Sequence, residues 1–410
     1  MQKKILAVAV AALCGMTGTA MAQAGGSKVE LWGIVDMAVR HTNNEGASQG
    51  NLTKMVGGGM SQSRWGLKVT ESLGGGSAAI AELENRVDAD SGSVSTPFFQ
   101  LAYVGLQGPY GRLTMGRQWN VLFDVVTSTY ASFPYSPYMD AYKPELGMAV
   151  GARNSNMLKY TISTPSRNWV ASLQYSFDEN NDTTSIENTA LTSGGAAAAA
   201  LIPGFVGSTL TGGAMKTMGG YLRYSQKGIS LGGGYLRTEL PGGSDVDAWT
   251  VGGSYRSGPL YVNLGYGLNK IKRNAVSTTD PIAAARATIA NAVDTAILSQ
   301  LWSGQTNGGF QPGGADKRQM VKVGFGYQVT PQVNAGLHYF HAKQSGDAAQ
   351  THNGKANFMV AAVDYAFSKR TDAYLAVDHT KVSGGSGMAL DAVSGARSRT
   401  GITAGIRHRF

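Results

Sequence analysis

Residues 259–271 read PLYVNLGYGLNKI, and two sets of side chains alternate along them. Leu260, Val262, Leu264, Tyr266 and Leu268 share one parity, while Tyr261, Asn263, Gly265, Gly267 and Asn269 share the other. Period-two alternation of this kind is a β-strand with an apolar face and a polar or small-residue face. The pattern recurs in NWVASLQYSF (168–177), VKVGFGYQV (321–329) and QVNAGLHYF (332–340). A soluble sandwich would alternate in the same way, so the length of the runs has to decide. They extend over about 9 to 13 residues, the length of a tilted membrane-crossing strand and longer than the usual soluble strand.

The connections carry the argument further. Sixteen runs can be placed, beginning at 28–41, 60–71, 77–88 and 97–107 and ending at 371–382 and 399–410. After even-numbered runs the chain turns within a few residues, as in GPY, TPSR, SGP, TPQ and SKR. After odd-numbered runs it is often long, as at 42–59, 119–152, 178–214 and 273–315. Strands that run up and down place every second connection on the same side. Short turns on one side and long loops on the other is the layout of an outer-membrane barrel. Closure also removes the unpaired strand edge that lipid would not tolerate. The expected fold is therefore all-β, a transmembrane antiparallel β-barrel of sixteen strands with long external loops.

The N-terminus agrees with export. Lys3 and Lys4, the apolar run ILAVAVAALCGM and Ala20-Met21-Ala22 form a secretory leader, residues 1–22, with 23–410 as the mature barrel. The apolar run is too short to span a membrane as a helix. The only cysteine, Cys14, lies in this leader, so no disulfide supports the mature fold. Glycine is abundant at 56 residues, but it is interleaved with Tyr, Val, Leu and Trp, which argues against disorder. The net charge of +9 suits an anionic solute or surface, and nucleic acid is the least fitting partner for an exported chain. Tyr160, Tyr175, Tyr235, Tyr255, Tyr327 and Tyr365 fall near strand ends, where amphipathic rings suit the two membrane interfaces.

At this point the chain resembles the general diffusion porins of Gram-negative outer membranes, in the branch common among β-proteobacteria. The resemblance rests on VELWGIVDMAVR, SRWGLKVTESLGGG, FFQLAYVGLQGPYGRLTMGRQWN, ARNSNMLKY and the terminal RHRF, in that order. It implies a homotrimer in the outer membrane, each subunit enclosing a water-filled channel for small solutes and inorganic ions. Lipopolysaccharide and outer-membrane lipid would surround it, and Phe410 would be the signal read by the barrel assembly machinery. It further implies that residues 119–152 fold inward as a constriction loop facing a wall of arginines.

By motif, Arg64 of SRWG and Arg153 of ARNSN match that basic wall, and Arg40 and Arg86 lie on neighbouring strands. Gln100 stands where the family pattern has a further basic residue. On the loop, Pro134-Tyr135-Ser136 and Pro144-Glu145-Leu146-Gly147 both compete for the place of an acidic motif. Asp124, Asp140 and Glu145 are the loop's carboxylates, with Lys143 between the two candidates. Acid so scarce opposite arginines implies a mild anion preference. Arginines paired with Glu82 or Glu84, or merely solvated in a wide lumen, are the plainer alternative. A solute-specific channel for a small anionic or aromatic compound is the second functional reading.

Chemistry of other kinds finds little support. His338 and His341 are three apart on a strand and face opposite ways, and no metal or cofactor constellation appears. No nucleophile elbow or phosphate-binding loop is present, so an enzyme is not expected. Residues 282–302 have helical spacing and read as an amphipathic segment of the sixth external loop.

Overall fold

The computed structural model describes residues 26–45, 48–132, 151–177, 215–240, 242–281, 313–390 and 395–410, with part of 283–298. In chain order β1 is Lys28–Glu45, β2 Gly50–Gly57, β3 Arg64–Gly74, β4 Ser77–Asp88, β5 Ser93–Gly108 and β6 Gly111–Trp119. A helix, α1, Val121–Thr129, precedes β7 Arg153–Ser163, β8 Trp169–Ser176, β9 Lys216–Gln226 and β10 Ile229–Glu239. Then follow β11 Asp245–Ser257, β12 Leu260–Lys272, β13 Lys317–Gln328 and β14 Val333–Ser345. β15 Gly354–Ala366, β16 Thr371–Gly384 and β17 Ser398–Arg409 complete the chain.

All neighbours pair antiparallel, and β1 against β17 closes the sheet, with Ile34 opposite Arg409 and Thr42 opposite Gly401. β2 pairs with the outer half of β1 and β3 with its inner half, so these two segments share one stave. The 17-stranded sheet is thus the barrel of sixteen staves that the sequence predicts. The terminal residue is paired: Phe410 and Gly33 exchange two backbone hydrogen bonds, at 3.0 and 3.1 Å. Gly33 has to lack a side chain, because a Cβ there would collide with the Phe410 ring.

One expected loop is corrected. Residues 42–59 are mostly strand, since β1 runs on to Glu45 and β2 begins at Gly50. The break falls instead after β2. Gly58, at φ +106°, turns the chain, and the Met60 and Ser61 amides donate to Asp36 Oδ2 at 3.1 and 2.6 Å. The buried Asp36 carboxylate also accepts from the Tyr374 hydroxyl, so it holds this inward segment in place. GNLTKMVG has no clean alternation, which is why its pairing was not legible in the sequence.

The barrel is inverted relative to a soluble protein. Leu231, Val251, Leu264, Val323, Leu337, Leu375, Ile402 and Ile406 point outward and are each between 45% and 59% exposed. Asp36, Arg40, Lys322, Asp378, Arg399 and Arg407 point inward and are buried. A contiguous apolar exterior of this size requires a partner, and around a closed barrel the partner is lipid. The six tyrosines expected at the interfaces take outward positions, with Tyr255, Tyr327 and Tyr365 near the short-turn end.

Candidate pore constriction

Inside the barrel, α1 lies against the inner faces of β9, β10 and β11. VLFDVVTST is a poor helix former by propensity, being rich in β-branched residues. Two things compensate. Asn120 caps the helix, its side-chain oxygen accepting from the Phe123 amide at 2.8 Å, while the Val121 amide donates to Gln174 Oε1 at 2.7 Å. Val121, Leu122, Val125, Val126 and Thr129 are buried, so tertiary packing supplies what propensity withholds.

The seat for this helix is made of glycine. A Cβ at Gly232 would meet Val125 Cγ2 and Thr129 Oγ1 at 2.9 Å. One at Gly234 would meet Leu122 at 3.0 Å, and one at Gly252 would meet the Tyr130 ring at 2.6 Å. The chain beyond α1 is tied across the next staves. Ser254 Oγ donates to Thr129 O at 2.5 Å, Tyr261 OH to Ala131 O at 2.8 Å, and Lys322 Nζ to Ser132 Oγ at 3.2 Å. Tyr130 also hydrogen-bonds Thr250. The start of the 119–152 loop is thereby fixed inside the lumen.

The basic wall stands on β3, β4 and β7. Arg64 lies across the ladder from Arg86, both facing inward beside Glu84. Glu84 is shared: Arg64 Nε is 3.6 Å from one oxygen, and Arg153 Nη2 is 3.2 Å from the other. Arg153 also stacks on Trp119 at 3.5 Å, and Trp119 in turn stacks on Phe123 of α1 at 4.4 Å. An aromatic bridge therefore links the loop helix to the arginine wall. Two guanidiniums thus share one carboxylate, with Arg86 beside Arg64 on the ladder.

A profile of the Gram-negative porin family matches residues 7–385 of this chain. The chain belongs to that family. Outer membrane porin protein 32 of Delftia acidovorans is 30% identical over 268 residues, 63% of this chain and 67% of that protein. An outer membrane porin protein of Bordetella pertussis is 30% identical over 203 residues, 44% of this chain and 49% of that protein. Among solved folds, an anion-selective porin from Comamonas acidovorans superposes with a TM-score of 0.66 at 23% identity. That match covers 94% of this chain and 100% of the other. OmpT of Vibrio cholerae, in its trimer form, gives a TM-score of 0.62 at 12% identity over 94% of this chain and 100% of that one. The porin lies in the outer membrane of a Gram-negative bacterium and forms a diffusion channel there.

The remaining predicted residues separate into groups. Arg40 faces inward but is buried, gripping Asp378 at 2.6 and 3.0 Å and Thr403 at 2.8 Å. Gln100 is the extra residue of a bulge in β5, and its amide donates to Pro97 O at 2.7 Å. Asp124 of α1 does not oppose the arginines: it pairs with Lys159 of β7 at 2.7 Å. Burial pushes the Asp124 carboxyl up, and Lys159 opposes that. Tyr135, Asp140, Lys143 and Glu145 lie outside the described residues, as do residues 1–22 of the leader. His338 is buried on the inner face and His341 points outward toward Asn357, as the strand period requires.

Sequence reasoning missed the glycine seat, Lys159 and Lys322. Only the inward Gly232-x-Gly234 of β10 and Gly252-x-Ser254 of β11 hinted at the first. The described residues between 281 and 298 are helical, as their spacing predicts. Asp294 in this stretch accepts from the Gly242 and Ser244 amides at 2.7 and 2.9 Å, and Leu298 is buried in one cluster with Val121 and Leu122. This external segment therefore packs onto the same core that holds α1.

Proposed function

We propose that the porin passes small hydrophilic solutes and ions by passive diffusion, with a mild preference for anions. The observation that carries this is Glu84 shared between Arg64 and Arg153 with Arg86 alongside, while Asp124 is engaged by Lys159. Among the described residues of this wall positive charge exceeds negative, and a fixed cationic excess raises the local anion concentration and repels cations. The neighbour from Comamonas acidovorans carries the description anion-selective, which supports the same sign. The site in this proposal comprises Arg64, Arg86 and Arg153 on the wall and residues 119–152 as the constricting loop. Arg40 and Gln100 take supporting places. The proposal includes a homotrimer, removal of leader 1–22, Phe410 as the assembly signal, and lipopolysaccharide as the surrounding outer-leaflet lipid.

The inner-wall aromatics do not favour the solute-specific alternative. Phe340 and Phe358 are fully buried in one cluster with Tyr130, which spends them on packing. Reversal potentials across planar bilayers in a potassium chloride gradient test the proposal. Current carried mainly by chloride is expected, and clear cation selectivity would overturn it. Liposome swelling with graded sugars should show a size cutoff without saturation by one solute.

A further inference from the structure

Two segments far apart in the chain share one core. Leu298, which lies between β12 and β13, is fully buried in a cluster with Val121, Leu122 and Phe123 of α1 and with Val246 and Ile271 of the wall. Trp119 packs against the same cluster, and Arg153 stacks on Trp119. The described residues Asn291, Asp294, Thr295 and Leu298 follow the spacing i, i+3, i+4 and i+7, which is one face of a helix. Three of them pin that face to the barrel. Asp294 accepts from the Gly242 and Ser244 amides, one on each carboxylate oxygen, at 2.7 and 2.9 Å. The Asn274 amide donates to Asn291 Oδ1 and Asn291 Nδ2 donates back to the Asn274 carbonyl, both at 3.0 Å. Arg273 Nη1 donates to Thr295 Oγ1 at 2.8 Å. Gly242 lets the helix come close, because a Cβ there would collide with the Ala290 carbonyl oxygen.

The constriction helix depends on that cover. The glycine seat holds Leu122, Val125 and Thr129 from the wall side, while Leu298 closes the cluster around the first turn from the long-loop end. Burial, not propensity, keeps α1 helical. Whatever seals its core therefore also fixes where the first turn, and Trp119 beside it, stand in the lumen. The polar pins have the complementary task. Asp294 lies one helical turn from Leu298, so its two hydrogen bonds to the 242–244 turn set how deep Leu298 reaches.

We propose that this external segment sets the aperture of the pore, with Asp294 and Leu298 as positioning residues for α1 and for the Trp119–Arg153 stack. Neither side chain meets the permeating ion: both are buried, and both Asp294 oxygens are engaged by amides. Leu298 acts by filling the core against α1, and Asp294 acts by holding Leu298 there. This assignment rests on residues 119–152 forming the constriction, as proposed above, and adds what holds the constriction from outside.

The test compares the wild-type porin with Leu298→Ala, Leu298→Met and Asp294→Asn. Single-channel conductance is read in planar bilayers at about 0.1 M and about 1 M potassium chloride. Amide exchange is read on the folded porin in detergent, at Asp124 and Tyr130, whose amides donate to Asn120 O and Val126 O of α1. Leu298→Ala empties the core without changing charge, so both amides should exchange at least about tenfold faster. Conductance should move by the same fraction at both salts, because an aperture is not screened. Leu298→Met keeps the volume and should restore both readouts. Asp294→Asn turns an NH2 group toward one of the two amides, so it should reproduce the Leu298→Ala changes. Unchanged exchange and conductance in Leu298→Ala would overturn the assignment. So would a conductance shift confined to Asp294→Asn that fades at about 1 M, where the Debye length is roughly 3 Å, since Asp294 would then act only as a charge at the mouth. Gly232→Val, which displaces α1 from the wall side, separates the two proposals. If it leaves conductance unchanged, residues 119–152 are not the constriction and the aperture assignment falls with that reading. If it lowers conductance while the Leu298 and Asp294 variants match the wild type, only the positioning roles fall.

Discussion

Glu84→Gln isolates the electrostatic argument, because it removes one charge from between Arg64 and Arg153 without adding another. An ion passing about 7 Å from a unit charge in water feels about 0.6 kcal/mol, and screening at 0.1 M salt roughly halves this. About 0.3 kcal/mol changes the occupancy of each ion by a factor near 1.7, in opposite directions for anion and cation. The anion-to-cation permeability ratio should therefore rise about threefold in Glu84→Gln. Arg153→Gln should lower the ratio by a similar factor. Reversal potentials in planar bilayers, at about 0.1 M and about 1 M mean salt, read both changes. At about 1 M the Debye length shrinks to roughly 3 Å and the effect should nearly vanish. A ratio unmoved at low salt, with the barrel still resistant to detergent unfolding, would show that Glu84 lies off the ion path. A shift that persists at high salt would also refute the reasoning, since it would reflect a change of pore shape.

Three further outcomes follow from particular contacts. Arg40→Gln leaves Asp378 buried without its partner, so the barrel should lose about 3–5 kcal/mol in reversible denaturant unfolding, with selectivity little changed. Gly232→Val should push α1 off its seat toward the pore, lowering single-channel conductance and costing about 1–3 kcal/mol of stability. Gly233→Ala, with its nearest neighbour at 3.2 Å and none on α1, should leave conductance alone. At Asp347 the His352 amide, helped by the Ala349 amide, holds the carboxyl below the usual range against the effect of burial. Its stabilising contribution is present above the ordinary value of about 4 and is lost as pH falls through the lowered one. The protection of the Ala349 and His352 amides against exchange, taken relative to the intrinsic rate at each pH, should fall on acidification through that window, and Asp347→Asn should flatten the dependence.

Much of the architecture was legible because a membrane barrel writes itself with a period of two. Runs such as 77–88 and 371–382 match β4 and β16 within a few residues, since both faces constrain the alternation and turns bound the ends. The exception, β2, has a lysine and an asparagine within an otherwise featureless stretch, and its pairing is dictated by β1. Arg64 and Arg153 could be named from local motifs. Their pairing with Glu84 was one of the alternatives open in the sequence, but that this one carboxylate serves both was settled only by the fold, because the three residues come from three staves. The same limit hid Lys159, whose partner Asp124 is 35 residues away in the chain.

The sequence by itself determined which side of each strand meets lipid, how many staves close the barrel, and which end carries the loops. Those are properties of alternation and turn chemistry, read a few residues at a time. Only the tertiary structure decided what the inward side chains do with one another. It made α1 a helix against its propensity, because Gly232, Gly234 and Gly252 leave a flat wall on which its apolar face can be buried. It tied Arg40 to Asp378 and set Arg64 and Arg153 on one acid, Glu84. Closing a sheet brings together residues far apart in the chain, and charge summed across a lumen is settled only after that closure.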